Sequence, residues 1–252
     1  MIILCIPDQH AHPDHPNDRA DWLASLIIDI KPDVVVNAGD AADMPSLSSY
    51  DKGKRSFYGK SYKKDIEAHL EFQDRLWSPV RATKKKTPYR VVLEGNHEHR
   101  IERALDLSPE LQGTIGFKDY EFYENYHEVV RYDGDTPGIF KLEGILFAHY
   151  FPTGISGRPI GGERPAHMLV NKHGCSSIQF HTHTLDFATR RTVEGRVING
   201  VVGGCYQDYT NEWAGTLGNF WQSGVLLLND VSEGNFDFQW ISIGALKKAY
   251  AK

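Results

Sequence analysis

The sequence predicts an α/β protein, a sandwich of two β-sheets with helices outside. Three observations lead there. Short apolar runs alternate with segments of 3.6-residue period through the first third of the chain. The second half is a succession of strand-like pieces joined by turns containing Gly or Asn. Neither half holds a linker rich in Pro or Ser, nor an internal repeat, so a single domain over residues 1–252 is expected.

The elements follow in order. Residues 2–6 form a continuous apolar run stopped by Pro7, the pattern of a strand buried on both faces. Asn17 stands where a helix N-cap belongs, ahead of Trp22, Leu23, Leu26, Ile27 and Ile30, which share one helical face and give out at Pro32. Residues 34–36 repeat the buried-strand pattern and end at Gly39. A helical stretch over about 64–77 places Phe72 and Trp77 at helical spacing with Leu70 and Leu76, which assigns them to the core; a basic loop then leads into a strand at 89–93. Buried strands separated by helices predict a parallel sheet. Beyond it, residues 139–142, 145–149, 177–182, 187–193, 196–202, 224–228 and 236–241 read as strands, expected as hairpins of the second sheet. The tail at 246–252 reads as a short basic amphipathic segment covering an edge.

Composition excludes several classes. A hydrophobic content of 40% and a charged content of 24% are ordinary for a globular protein. No apolar run approaches the roughly 20 residues of a membrane span. The opening MIILCIPDQH, without a basic region or a cleavage site, reads as a strand rather than a signal peptide. Cys5, Cys175 and Cys205 are too widely spaced for a disulfide framework, so a reducing cytoplasm is expected. The net charge of −5 argues against a generally basic nucleic-acid binder, yet between Asp51 and Arg90 stand 12 Lys/Arg against 5 Asp/Glu.

Polar residues gather at strand ends. The first strand ends at Asp8 and His10, the second at Asp40 and Asp43, the third, in VVLEGNHEHR, at Asn96 and His97. Residues 145–148 end at His149, and 177–180 at His181 and His183. One buried Asp is ordinarily a cap, and one His on an apolar strand is ordinarily a hydrogen-bonded core residue. Five strands ending this way, at sheet edges where α/β proteins bind ligands, are a donor set for a borderline divalent cation. No thiolate joins them, which disfavours structural zinc.

Asp8-x-His10, Gly39-Asp40-x-x-Asp43, Gly95-Asn96-His97-Glu98, His149 and His181-x-His183 resemble, in order and spacing, the motifs of the calcineurin-like metallophosphoesterases. The resemblance runs from residue 2 to about 205. It implies a four-layer αββα sandwich of two packed mixed sheets flanked by helices, with two divalent ions at the sheet edges, manganese foremost and iron, nickel or zinc as alternatives. Asp8, His10, Asp40 and His183 would hold the first ion, and Asp40, Asn96, His149 and His181 the second. A hydroxide bridging the ions would attack phosphorus, with His97 protonating the leaving oxygen and Asp43 steadying it.

The chain also departs from that pattern. Phe180 replaces the glycine expected before His181, which implies a shifted ligand loop. Met44 follows Asp43 where the protein Ser/Thr phosphatases carry an arginine, which disfavours that subgroup. Arg100, Arg158, Arg164 and Arg190 are the candidate phosphate partners in its place. His12 and His15 are expected in a solvated loop, and His99 as a helix cap or a substrate contact. Two insertions are expected to shape specificity. One is basic and helical, about 44–88, and interleaves its cations with Tyr50, Phe57, Tyr58 and Tyr62; the excess over 52–90 suits nucleic acid. The other is a Gly/Pro-rich loop, about 151–167, expected to overhang the ions. The expected activity is phosphoester hydrolysis, leaning to phosphodiester, nucleotide or nucleic-acid substrates. The alternatives are a phosphomonoesterase of small or protein substrates and a non-catalytic interaction module, which the retained His97 disfavours.

Overall fold

The computed structural model describes residues 1–83 and 86–251. Lys84 and Lys85 of the expected basic loop, and the terminal Lys252, lie outside the described residues.

The first sheet begins with β1 (Ile3–Ile6), β2 (Val34–Asn37), β3 (Tyr89–Leu93) and β4 (Glu128–Val130), adjacent and parallel. The second is built from β5 (Phe140–Leu142), β6 (Ile145–Phe147), β9 (Ser176–Gln179), β10 (Leu185–Arg191) and β11 (Val197–Gly203), in the order β10-β11-β9-β6-β5. Between β6 and β9 lie a two-stranded ribbon, β7 (Pro152–Thr153) with β8 (Arg158–Pro159), and the helix α5 (Pro165–His173). The remaining helices are α1 (Asp18–Ile30), α2 (Tyr62–Ala82), α3 (Arg100–Leu107), α4 (Phe122–Asn125) and α6 (Ile243–Tyr250).

Strand alternation builds the layers. Leu4, Ile6, Val35 and Val92 pack outward against Trp22, Leu23 and Ile27 of α1 and Phe72, Leu76 and Trp77 of α2. Ile3, Cys5, Val36, Val91 and Leu93 point the other way, onto Ile145, Phe147, Ile178, Phe180 and Val201 of the second sheet. That sheet is closed outside by α5, through Ala166 and Leu169 against Val202. The result is the four-layer αββα sandwich. Phe180 is fully buried in the inter-sheet core, and a side chain at Gly203 would collide with its ring. The position before His181 is therefore a packing site.

Three expectations change. The C-terminal hairpin, β12 (Gly224–Ser232) with β13 (Asn235–Ser242), joins the first sheet and not the second, pairing antiparallel with β1 at Ile3↔Leu228 and Cys5↔Leu226. The reason is burial on both faces: Val225 and Leu227 meet the helical layer while Leu226 and Leu228 meet the second sheet. Much of the basic segment is likewise no appendage. α2 is a core layer that runs on past Pro79 to Ala82, leaving 45–61 as the surface excursion. Asn17 makes no side-chain cap; its Nδ2 donates to the Ala68 carbonyl at 3.0 Å and ties α1 to α2.

Candidate metal centre and its acid–base partner

The loops after β1, β2 and β3 are stitched together at the sheet edge. His10 N donates to Asp40 O at 2.8 Å, Ala11 N to Ala41 O at 2.9 Å and Asp43 N to Ala11 O at 3.1 Å. Gly39 and Gly95 allow the closest approach. Gly39 has a φ of +87°, and a side chain there would sit 2.6 Å from Gly95 N; one at Gly95 would sit 2.2 Å from Asp40 N. Glu98 closes the arrangement from inside. Its Oε2 accepts from Asp40 N (2.8 Å) and Gly95 N (2.9 Å), and its Oε1 accepts from Ala42 N (3.0 Å). Burial and the neighbouring Asp40 carboxylate push the Glu98 pKa up to about 8.

Below this lies Arg19, fully buried, donating to the carbonyls of Gln9 (2.9 Å), His10 (3.3 Å) and Tyr206 (3.1 Å). Sequence reasoning missed Arg19 and the role of Glu98. The only signals were a charged residue on the apolar face of α1 and an acid following His97. Four of the predicted donor residues, His10, Asp40, His181 and His183, stand at positive φ between 45° and 69°. Each such non-glycine residue costs roughly 1–2 kcal/mol, and the surrounding hydrogen bonds hold the conformation in place.

The side chains converge in two groups, which a third links through His10 and Asp40. Asp8, His10 and His183 bring one donor atom each within 4.8 Å of one another, and so do Asp40, His149 and His181. A third such group, His10, Asp40 and His97, joins them. His10 Nε2 lies 3.1 Å from His183 Nε2 and 3.7 Å from Asp40 Oδ2, while His183 Nε2 lies 3.2 Å from Asp8 Oδ2. On the other side His149 Nε2 is 2.9 Å from Asn96 Oδ1, 3.2 Å from His181 Nδ1 and 3.4 Å from Asp40 Oδ2.

This geometry fits cations. His149 Nδ1 donates to Ala38 O at 2.9 Å and His10 Nδ1 to Asp43 Oδ1 at 3.0 Å, so a neutral ring turns its unprotonated Nε2 inward in each case. Each inward nitrogen then faces further electron-pair donors, a repulsive arrangement unless positive charge sits between them. Burial opposes charge on His149, yet the Asp40 and Asp8 carboxylates raise its pKa to about 9. Burial and that same ring lower His181 to about 4. Asp8 Oδ1 is buried without a hydrogen-bond partner among the described residues. A pocket that demands positive charge and offers O and N donors suits a borderline divalent ion.

His97 stands beside this cluster. Its backbone N–H donates to Asp40 Oδ1 at 2.8 Å, and its Nε2 lies 3.8 Å from Asp40 Oδ2. Its Nδ1 donates to Asp43 O at 2.6 Å and is 3.1 Å from Asp43 Oδ1. Burial would raise the Asp43 pKa, but hydrogen bonds from His10 and His97 hold it well below the usual carboxylate range. Arg100, at the start of α3, donates through Nη1 to the carbonyls of Asp43 (2.8 Å) and Met44 (3.0 Å) and through Nη2 to His97 Nε2 (2.9 Å). Burial, and then this guanidinium, lower the His97 pKa. Met44 itself is fully buried in the helical layer, and helix α3 brings the Arg100 guanidinium to this corner.

Other candidates fall elsewhere. Arg158 and Arg164 are exposed, and Arg190 is bound to Asn171 at 2.9 Å. His12 and His15 are not free in solvent: His12 Nε2 lies 3.6 Å from Asp43 Oδ2, and His15 stacks on Tyr209 at 3.7 Å. His99 stands at the N-cap of α3 without a side-chain cap bond; its Nδ1 pairs with Glu94 Oε1 at 3.2 Å and its ring stacks on Tyr132 at 4.2 Å. The 151–167 segment holds the β7–β8 ribbon and the first turn of α5; against the cluster stand Tyr150, 5.0 Å from the His181 ring, and Trp221, 4.4 Å from that of His183.

Comparison with known proteins gives three results. The calcineurin-like phosphoesterase family matches residues 1–194. No curated protein matches the chain significantly. Among solved structures, the chain is similar to TT1561 of Thermus thermophilus at 11% identity, with 96% of this chain and 98% of that chain covered and a TM-score of 0.36.

Proposed function

The chain belongs to the calcineurin-like phosphoesterase family, and from that premise we propose that it cleaves phosphodiesters of nucleotides or nucleic acid, as a single domain, with His97 as general acid. Asp8, His10, Asp40 and His183 would hold one divalent ion, and Asp40, Asn96, His149 and His181 another. Such ions, when bound, neutralise phosphoryl charge and lower the pKa of water to about 7.

The remaining work belongs to the chain. Asp43 grips His97 through both its carbonyl and its carboxylate, which fixes the ring and partly offsets the lowering of its pKa by burial and Arg100. Once Arg100 has released it, Nε2 takes up a proton from solvent, faces the leaving oxygen and gives that proton up there. Arg100 is anchored through Nη1 on the Asp43 and Met44 carbonyls, so Nη2 can turn from His97 to a phosphoryl oxygen without losing its footing. That exchange frees Nε2 as substrate arrives. The lean to nucleotides rests on the 45–61 excursion, where Lys52, Lys54 and Arg55 make no ion pair among the described residues and Tyr50 and Tyr58 are 79% and 94% exposed.

The observation that carries the reading is the convergence of Asp8, His10 and His183 with Asp40, His149 and His181 beside His97. His97→Ala tests it in the metal-loaded protein. Both ions should remain bound, alkyl and nucleoside esters should slow by about 10²–10⁴, and activated aryl esters should lose less than tenfold. Equal losses on all esters would reject His97 as the acid. A panel of bis-aryl and mono-aryl phosphates, nucleotides, and single- and double-stranded DNA decides the substrate.

A further inference from the structure

A groove of about 320 Å³ opens between the 46–57 segment and helix α3. Its floor is apolar, from Leu47, Phe57 and Leu107, and its charged lining is wholly cationic: Lys52, Arg100 and Arg103. Leu107 is 75% exposed and Phe57 36%, so carbon surface faces solvent here. One wall is Arg100, whose Nη2 lies 2.9 Å from His97 Nε2. Another is Arg103, which donates to the carbonyl of Asn96 at 3.2 Å. The groove therefore starts one guanidinium away from the proposed general acid.

Size and charge narrow the occupant. The volume is at the lower end of small-molecule sites, enough for one ring system with its sugar and too small for a folded peptide element. An apolar floor with a cationic rim suits a flat ring carrying anionic neighbours. We infer that this groove receives the leaving nucleoside of a nucleotide ester, with the base on Leu47, Phe57 and Leu107 and the next phosphate at Lys52 and Arg103. This assignment rests on the phosphoesterase reading and adds the leaving-group class to it. It makes 46–57, within the 45–61 surface excursion, the element that selects substrate.

The test uses the full-length metal-loaded protein and calorimetric titration with two probes, inorganic phosphate and adenosine 5′-monophosphate. Wild type should bind the nucleotide at least tenfold more tightly than phosphate. Ala104→Trp, which fills the groove, and Leu107→Glu, which changes only an exposed side chain and places an anion on the floor, should each bring that ratio below threefold. A wild-type ratio near one, or a preference that survives both substitutions, overturns the assignment. Failure of the phosphoesterase reading looks different: no ester is cleaved and phosphate does not bind, while a nucleotide preference sensitive to both substitutions would still uphold the groove.

Discussion

Glu98→Ala measures how much the carboxylate behind the metal loops contributes. Glu98 is fully buried and accepts three backbone N–H groups, those of Asp40, Ala42 and Gly95. Truncation leaves three buried donors unpaired, each costing about 1–3 kcal/mol. Two effects offset this. Water entering the vacated space serves at least one N–H, and the burial and Asp40 repulsion that push the carboxyl up to about 8 disappear. The net expectation is a loss of about 2–4 kcal/mol by the unpaired-donor scale. Glu98→Gln separates the contributions: its amide oxygen still serves Asp40 N and Gly95 N, but its NH₂ faces Ala42 N–H, so one donor is lost, at about 1–2 kcal/mol. Urea denaturation gives the stabilities, and titration with manganese reads the site. The Ala variant should be the less stable of the two and should bind metal at least tenfold more weakly, because Asp40 loses the contact that orients its backbone. Stability within about 0.5 kcal/mol of wild type, together with unchanged metal affinity, would refute the clamp.

Further expectations follow from the same geometry. Gly95→Ala should abolish metal binding, since a methyl group there would lie 2.2 Å from Asp40 N; intact metal content measured by plasma mass spectrometry would contradict the close approach. Asp40→Ala should empty both positions, whereas retention of one ion would show that Asp40 serves a single position. His69 is buried between Tyr120 and Phe122, and burial lowers its pKa to about 4, so its contribution is complete above about 6.5 and is lost as pH falls toward 4. That is roughly 3 kcal/mol across the window. His69→Gln should flatten the stability profile between those pH values by about this amount, and an unchanged slope in urea titrations would show that His69 is protonated freely in the fold.

Much of the fold was legible in local pattern. The 3.6-residue period of Trp22, Leu23, Leu26 and Ile27 and the apolar runs at 2–6, 34–36 and 89–93 each correspond to an element, because burial on one or both faces writes itself into side-chain polarity at fixed spacing. The convergence of Asp8, His10, Asp40, Asn96, His149, His181 and His183 was legible for a related reason. Strand ends on a common edge meet, so polar residues at five strand tips imply one crevice. The C-terminal hairpin was misplaced because alternation reports which residues are buried and is silent on which strand they pair with. Val225 to Leu228 would suit either sheet, and only the vacant edge of β1 between two covering layers selects one.

The chemistry of the centre was divided in the same way. Residue order specified which donor types arrive at the edge, since composition and spacing along a strand are local properties. The tertiary structure alone decided their setting: positive φ at His10, Asp40, His181 and His183, the Glu98 acceptor behind Asp40, and the reach of Arg100 to His97 Nε2. Each of these depends on backbone groups many residues apart coming within hydrogen-bonding distance. No local period encodes such contacts, because their energy exists only once both sheets have packed and water has left the space between them.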